Sequence, residues 1–235
     1  MQTESWNGAP WNVGDFLIHP TIVALTMKSE REIVDIFNRS KFGTVEKTTG
    51  LSEKECSLLN GLLLYHILSK NDLLVEKRRY ASHKANLSGR IFEDTFRQLF
   101  QLWMKGRSDI FLAYVDKVIT GIDYVVYKHD PLEFLAGIQC RFSLGGTSED
   151  TSSSAGRWNH WRKLKDDLEA ARDDKRISHI PLAAVVFQSG PSVPKPLARA
   201  VDADISATFL NHGGVTDLKV QTSEIKQLAN WLQRL

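Results

Sequence analysis

Residues 121–142, GIDYVVYKHDPLEFLAGIQCRF, restrict the fold more than any other stretch of this sequence. Apolar and aromatic residues on both sides of the polar segment KHDP (128–131) predict two short strands joined by a hairpin-like turn. Successive side chains of a strand point to opposite faces, so residues two apart share a face. The even positions from Leu132 to Phe142 are all apolar, which predicts an unbroken apolar face on the second strand.

The opposite face of the second predicted strand is polar. It carries Glu133, Gln139 and Arg141, and Asp123 lies inside the first predicted strand. Two interpretations of this face are open. In the first, the carboxamide of Gln139 and the guanidinium of Arg141 lie beside the Asp123 carboxylate and form a reaction site. In the second, this is the polar face of an amphipathic edge strand. Glu133 is roughly 20 Å from Gln139 along the strand, too far to replace it as a ligand.

The remaining sequence predicts helices alternating with strands. Residues 180–188, IPLAAVVFQ, are nearly all apolar, as in a strand covered on both faces. A further strand is predicted over 203–210, and two or three strands between 110 and 142. Helical spacing and capping patterns predict helices over 29–38, 52–68, 90–105, 154–172 and 223–234. We therefore expect an α/β (α+β) fold with a mixed central β-sheet flanked by helices.

Length and composition are those of an ordinary globular chain. The 235 residues suit a single domain, 1–235, with residues 1–75 as a mainly helical N-terminal subregion that begins irregularly over 1–20. The net charge is only +2, so a nucleic-acid partner must be inferred from where the charges lie. Cys56 and Cys140 are expected to be reduced. Without a signal peptide or a run of about 20 apolar residues, the chain is expected to be cytoplasmic with no membrane partner.

Two basic segments favour a polyanionic partner. Residues 77–90, KRRYASHKANLSGR, hold five cations and no acid. Such cations neutralise phosphates, while hydroxyl and amide groups fix register; a solvated basic loop is the alternative. The second segment opens the helix predicted over 154–172, where arginine and asparagine are suited to guanine and adenine edges. The candidate DNA-binding residues are Arg78, Arg79, Lys84, Asn86, Arg157, Asn159, Arg162 and Lys163.

Glu93 is the acidic residue of interest upstream of the strand pair. It lies near the start of the predicted helix 90–105, whose wide apolar surface indicates burial. A carboxylate there is favoured by the helix dipole, and Arg97, four residues on, is a suitable ion-pair partner. The functional interpretation is that the packed helix holds Glu93 near Asp123.

The chain contains no glycine-rich nucleotide loop, no G-x-S-x-G motif and no zinc-type Cys/His spacing. The order of Glu93, Asp123 and the pair formed by Gln139 and Arg141 resembles the PD-(D/E)XK nuclease superfamily and, within it, the type II restriction endonucleases. The resemblance covers roughly residues 85–210 and implies a restriction-endonuclease-like core. In it Glu93 takes the place of the helix carboxylate, Asp123 that of the strand aspartate, and Gln139-Cys140-Arg141 that of the acid-x-Lys pair.

The resemblance implies a Mg²⁺-dependent, sequence-specific endonuclease that hydrolyses double-stranded DNA as a homodimer. Asp123 would be the principal metal ligand, joined by Gln139 and, directly or through water, by Glu93. Arg141 would stabilise charge on the phosphate. The alternatives are a catalytically inactive DNA-binding protein of the same fold and an interaction protein with no nucleic-acid partner.

Gln139 and Arg141 depart from the family pattern. A neutral amide oxygen stands where the family has an acid, which weakens metal affinity, and an arginine cannot give up a proton as a lysine can. Three explanations are open. Arg141 only stabilises charge in a tolerated variant, activity has been lost while binding is kept, or a glutamate at 139 has been replaced so that a complex is trapped before cleavage.

Overall fold

The computed structural model of the chain describes residues 3–6, 9–12, 50–70, 84–115, 118–144, 154–189, 203–212 and 218–235. The chain divides into two compact units, Met1–Leu99 and Phe100–Leu235, and each is described by itself. Whether both belong to one domain, as the length predicts, stays a prediction. Among the described helices, none is long and apolar enough to cross a membrane.

The first unit begins with a pair of strands where the sequence predicts irregular chain. Strand β1 (Thr3–Trp6) pairs antiparallel with β2 (Ala9–Asn12), so residues 1–20 are not irregular throughout. The sequence between the strands is Asn-Gly, the dipeptide that most favours a two-residue hairpin turn. The prolines and glycines nearby hid this signal. The helix predicted over 29–38 lies outside the described residues.

Helix α1 (Glu53–Lys70) confirms the predicted capping box. The backbone N–H of Ser52 donates to the Glu55 carboxylate at 2.7 Å, and the N–H of Glu55 donates to the Ser52 hydroxyl at 3.3 Å. This reciprocal pair satisfies backbone donors that the first helical turn leaves open. The buried side chains of the helix are Cys56, Ser57, Leu58, Leu59, Asn60, Leu62 and Leu63.

Helix α2 (Lys84–Trp103) runs from the first unit into the second and begins six residues before the predicted start at Arg90. The basic composition of 84–90 concealed helix-favouring residues, including an alanine and a leucine. Two predicted DNA-binding residues, Lys84 and Asn86, therefore lie within a helix and not before one. The buried apolar residues of α2 are Ile91, Phe92, Phe96, Leu99, Phe100 and Trp103.

The second unit is built on a mixed sheet of six strands, in the spatial order β3-β4-β5-β6-β7-β8. The pairs β3/β4, β4/β5 and β7/β8 are antiparallel, whereas β5/β6 and β6/β7 are parallel. This confirms the predicted α+β class with a mixed sheet; β8 was not predicted. The strands are β3 (Ile110–Tyr114), β4 (Tyr124–Lys128), β5 (Glu133–Leu144), β6 (Leu182–Ser189), β7 (Ile205–His212) and β8 (Leu218–Val220).

Two helices flank this sheet, as predicted. Helix α3 (Ser154–Asp173) buries Leu164, Leu168 and Ala171 in a cluster that also contains alternate residues of β6. Helix α4 (Thr222–Gln233) lies beside β7, where its Glu224 carboxylate accepts the N–H of Thr208. Each fully buried leucine side chain contributes about 1.5–3 kcal/mol, so α3 is held firmly against one face of the sheet.

A β-bulge breaks the apolar face predicted for β5. Val126 pairs with Ala136, but Tyr127 pairs with Phe134, so Leu135 is an extra residue in β5. The bulge shifts Phe134 to the face covered by α3, where it packs against the core cluster. Leu132 lies in the turn before β5 and is 67% exposed. The predicted unbroken face from Leu132 to Phe142 is therefore wrong before Ala136, while Ala136, Ile138 and Cys140 are buried as expected.

Candidate functional site

Gln139 and Arg141 of β5 lie on the face of the sheet that α3 covers, whereas the bulge pairs Glu133 with Lys128 and places it on the opposite face, contrary to the prediction. The parallel register pairs Gln139 with Ala184 and Arg141 with Val186. Ala184 and Val186 both belong to the core cluster beneath α3. Because paired residues of neighbouring strands share a face, the alternation predicted for Gln139 and Arg141 agrees with this register.

The prediction that Asp123 lies inside the first strand is wrong, because the residue lies directly before β4, which begins at Tyr124. Its N–H donates to the Ile138 carbonyl at 2.9 Å, and its carbonyl accepts the N–H of Val115 at 2.7 Å. Tyr124 pairs with Ile138, so one further step of the antiparallel register brings Asp123 opposite Gln139. The main chain thus fixes Asp123 between two neighbouring segments of the sheet.

Gly121 allows the segment that leads to Asp123 to pass close to the backbone of α3. Its φ is +87°, and a Cβ at this position would lie 1.8 Å from the backbone carbonyl oxygen of Asp167 on α3. Only glycine combines this backbone conformation with so close a passage. The segment that delivers Asp123 is therefore pressed directly against the backbone of α3.

The Asp123 carboxylate is oriented by the backbone of β5. The N–H of Cys140 donates to Asp123 Oδ2 at 2.6 Å, and the Asp123 residue is only 6% exposed. At this point β5 extends beyond its pairing with β4, so a side-chain oxygen takes the place of a backbone acceptor.

A second aspartate, Asp204, lies directly before β7 and also accepts a backbone N–H. Asp204 accepts the N–H of Leu182 at 2.6 Å and is paired with Arg172 at 2.7 Å. Burial raises the pKa of Asp204, but the Leu182 N–H and the Arg172 guanidinium outweigh it, so this pKa lies below its usual value. Asp204 is neutralised by a cation at a half-exposed strand end, whereas the residue opposite Asp123 is a neutral amide.

Gln139 has a buried side chain with little hydrogen bonding. The residue is 6% exposed, and its Nε2 donates to the Cys140 carbonyl at 3.4 Å. Within the described part of the chain, its carbonyl oxygen has no hydrogen-bond donor. A buried acceptor left without a donor costs about 1–3 kcal/mol. A buried oxygen of this kind can be satisfied by an ordered water or by a cation.

Arg141 continues the polar face toward the carboxyl end of β5. Its Nη1 lies 3.6 Å from the Asp167 carboxylate of α3, with side chains 21% and 26% exposed. Exposure therefore rises from Gln139 to Arg141, so the polar face opens toward the carboxyl ends of the parallel strands β5, β6 and β7. Open sheets with parallel strands bind their ligands beyond these carboxyl ends. Asp167 was not singled out in the sequence, although it directly precedes a buried leucine of α3.

Glu93 belongs to the first unit and Asp123 to the second, so their combination into one site stays a prediction. With α2 beginning at Lys84, Glu93 is no longer in the first turn, and the helix dipole does not explain it. Arg97, the predicted ion-pair partner, donates from Nε to the Asp94 carboxylate at 2.9 Å.

The predicted DNA-binding residues are only partly described. Arg162 and Lys163 are exposed on α3, as phosphate contacts require. Lys84 and Asn86 lie in α2 and Arg157 and Asn159 in α3, where the backbone alone is described. The remaining pair, Arg78 and Arg79, lies outside the described residues.

The donor set fits a hydrated Mg²⁺ and no richer metal site. Across the described residues, there is no group of three or more His, Cys, Asp or Glu side chains able to hold a metal. Mg²⁺ keeps several waters and needs only one or two protein carboxylates. The Asp123 carboxylate and the Gln139 carbonyl oxygen would supply hard oxygen ligands of this kind, with a single negative charge between them.

No protein-family model, curated protein or solved structure matches this chain. The chemistry of the site is therefore inferred from its own residues.

Proposed function

We propose that the chain is a Mg²⁺-dependent, sequence-specific endonuclease of the PD-(D/E)XK superfamily that hydrolyses double-stranded DNA. Its core would be restriction-endonuclease-like, with the mixed sheet as the platform, and a homodimer would cut the two strands of a palindromic site. The observation that carries the proposal is the buried carbonyl oxygen of Gln139, which lies opposite Asp123 and has no hydrogen-bond donor among the described residues.

Asp123 would hold the cation, with Gln139 as a neutral second ligand. The Cys140 N–H fixes one carboxylate oxygen of Asp123, and this orients the whole group without neutralising its charge. When bound, Mg²⁺ lowers the pKa of a coordinated water and offsets charge on the phosphate. Glu93 would add a second carboxylate, directly or through water.

Arg141 would stabilise the negative charge that develops on the scissile phosphate. It follows Gln139 by two positions on the same face, and a guanidinium presents several N–H donors to a phosphate. It therefore acts as a fixed positive charge and hydrogen-bond donor and not as a base. Arg141 would therefore bind and orient the phosphate and would not deprotonate the attacking water.

The neutral amide at 139 predicts low activity that a carboxylate would raise. Gln139→Glu is nearly isosteric and raises the charge of the pair formed with Asp123 from one negative charge to two, so it should tighten Mg²⁺ binding and increase the cleavage rate by at least about tenfold. The measurement is conversion of supercoiled plasmid with Mg²⁺, comparing the unchanged chain, Gln139→Glu, and Gln139→Glu with EDTA. Both proteins keep Arg162 and Lys163, so the predicted phosphate contacts of these residues do not differ between the three reactions.

The expected result is a discrete set of fragments from the Gln139→Glu protein that EDTA abolishes. If Gln139→Glu leaves the plasmid intact at every Mg²⁺ concentration, the nuclease proposal is wrong. Cleavage that persists with EDTA would also contradict it, because the proposed chemistry requires the cation.

The second candidate is a DNA-binding protein of the same fold without catalysis. The single negative charge of the described donor pair favours it, because a carboxylate and an amide bind Mg²⁺ more weakly than two carboxylates. Such a protein would bind duplex DNA with an affinity that falls steeply with salt. It would show no cleavage even as Gln139→Glu, which separates the two candidates.

A further inference from the structure

Asp167 of α3 touches both halves of the candidate site. Its side chain pairs with Arg141, and its backbone carbonyl oxygen is the atom that a Cβ on Gly121 would meet first. Gly121 lies two residues before Asp123, and Arg141 lies two residues after Gln139. One residue of a helix therefore contacts the segment that carries the carboxylate and the side chain that carries the positive charge.

The position of Asp167 is fixed by packing. Its neighbours Leu164, Leu168 and Ala171 are fully buried in the core cluster, and its carbonyl is pressed against the chain at Gly121. A carboxylate anchored in this way presents a stationary partner to the long, flexible side chain of Arg141. An unanchored arginine loses side-chain entropy each time it is ordered against a ligand.

The pair contributes more to orientation than to stability. Both side chains are partly exposed and the closest approach is 3.6 Å, and ion pairs of this kind stabilise a fold only slightly. A guanidinium has five N–H donors, so Asp167 leaves others for a phosphate. In the described part of the chain, Asp167 is the one carboxylate paired with Arg141.

We infer that Asp167 is a positioning residue that holds Arg141 toward a phosphate group of the substrate at the polar face of β5. The inference rests on the proposed nuclease function. It identifies which residue orients the charge-stabilising arginine and extends the site from the sheet to α3.

The test compares Asp167→Asn with Asp166→Asn, each in the Gln139→Glu background. Asp166 is the exposed neighbour on the same helix, so the two variants change the net charge equally. Loss of a negative charge near DNA tightens binding by itself. A positioning residue must therefore lower the single-turnover cleavage rate at saturating protein without weakening binding. We expect a loss of about tenfold for Asp167→Asn, none for Asp166→Asn, and partial recovery with Asp167→Glu.

A second measurement does not depend on cleavage. Arginine modification by phenylglyoxal, followed by mass spectrometry, gives the reactivity of Arg141 with and without duplex DNA. Asp167→Asn should raise the reactivity of Arg141 and weaken its protection by DNA, relative to Asp166→Asn. Equal reactivity and protection in the two variants would overturn the inference, as would an unchanged cleavage rate in Asp167→Asn.

The two proposals fail in different ways. If Gln139→Glu does not cleave DNA, the nuclease function fails, and protection of Arg141 alone decides whether Asp167 orients it toward a phosphate. If Gln139→Glu cleaves DNA and Asp167→Asn cleaves equally fast, the nuclease function stands and the positioning inference fails.

Discussion

At the scale of single residues, Asp123 has two roles: its carboxylate accepts a backbone hydrogen bond, and we propose that it also holds Mg²⁺. Its Oδ2 accepts the Cys140 N–H at a place where β5 has no backbone partner from β4. This contact alone gives a reason for an aspartate at 123, so the hydrogen bond is not evidence for a metal. What favours a ligand is Gln139 opposite, whose carbonyl oxygen has no donor in the described part of the chain, because a purely structural pair would satisfy both side chains.

The structural contact predicts different stabilities for two substitutions of Asp123. Asp123→Ala removes the acceptor and leaves the buried Cys140 N–H unsatisfied, which should cost about 1–3 kcal/mol in the free energy of unfolding. Asp123→Asn keeps an oxygen that accepts the N–H, so it should cost less than Asp123→Ala. Urea denaturation measures both. Equal destabilisation by the two variants would show that the Cys140 contact does not stabilise the fold.

At the scale of elements, the approach of the β4 segment to α3 determines where the site residues meet. Gly121 allows that approach, and neither its φ nor the distance to α3 was foreseen in the sequence. Sequence periodicity identified the strand pair and the polar positions of β5, because alternation is a local property. It did not identify the bulge at Leu135 or the pairing of Arg141 with Asp167, because both depend on contacts between distant segments.

Gly121 and Gly106 form a matched pair for testing this approach. Both have positive φ, +87° and +103°, but a Cβ on Gly106 meets no atom within 4 Å. Gly106→Ala should therefore cost only the backbone strain, about 1–2 kcal/mol. Gly121→Ala adds a clash with the Asp167 carbonyl and should cost at least about 2 kcal/mol more. Thermal or urea unfolding gives the difference, and equal costs would mean that the chain does not press against α3.

At the scale of the whole molecule, the class of fold was predictable and the assembly of the site was not. Apolar runs and helical spacing gave the mixed sheet and its flanking helices, since these patterns follow from burial of one face of each element. The early start of α2 and the N-terminal strand pair were missed because a basic composition and a proline-rich stretch outweighed weaker local signals. Glu93 and the basic residues 77–83 stay predictions from the sequence.

The central claim is that catalysis depends on the negative charge of Asp123. The most direct test is the Mg²⁺-dependent cleavage rate of Gln139→Glu with and without Asp123→Asn. The asparagine keeps an acceptor for the Cys140 N–H and removes only the charge, so the fold is preserved while metal binding is lost. We predict that cleavage falls at least about a hundredfold, as for loss of a principal charge-stabilising group. Cleavage at an unchanged rate would contradict the assignment of the site to Asp123.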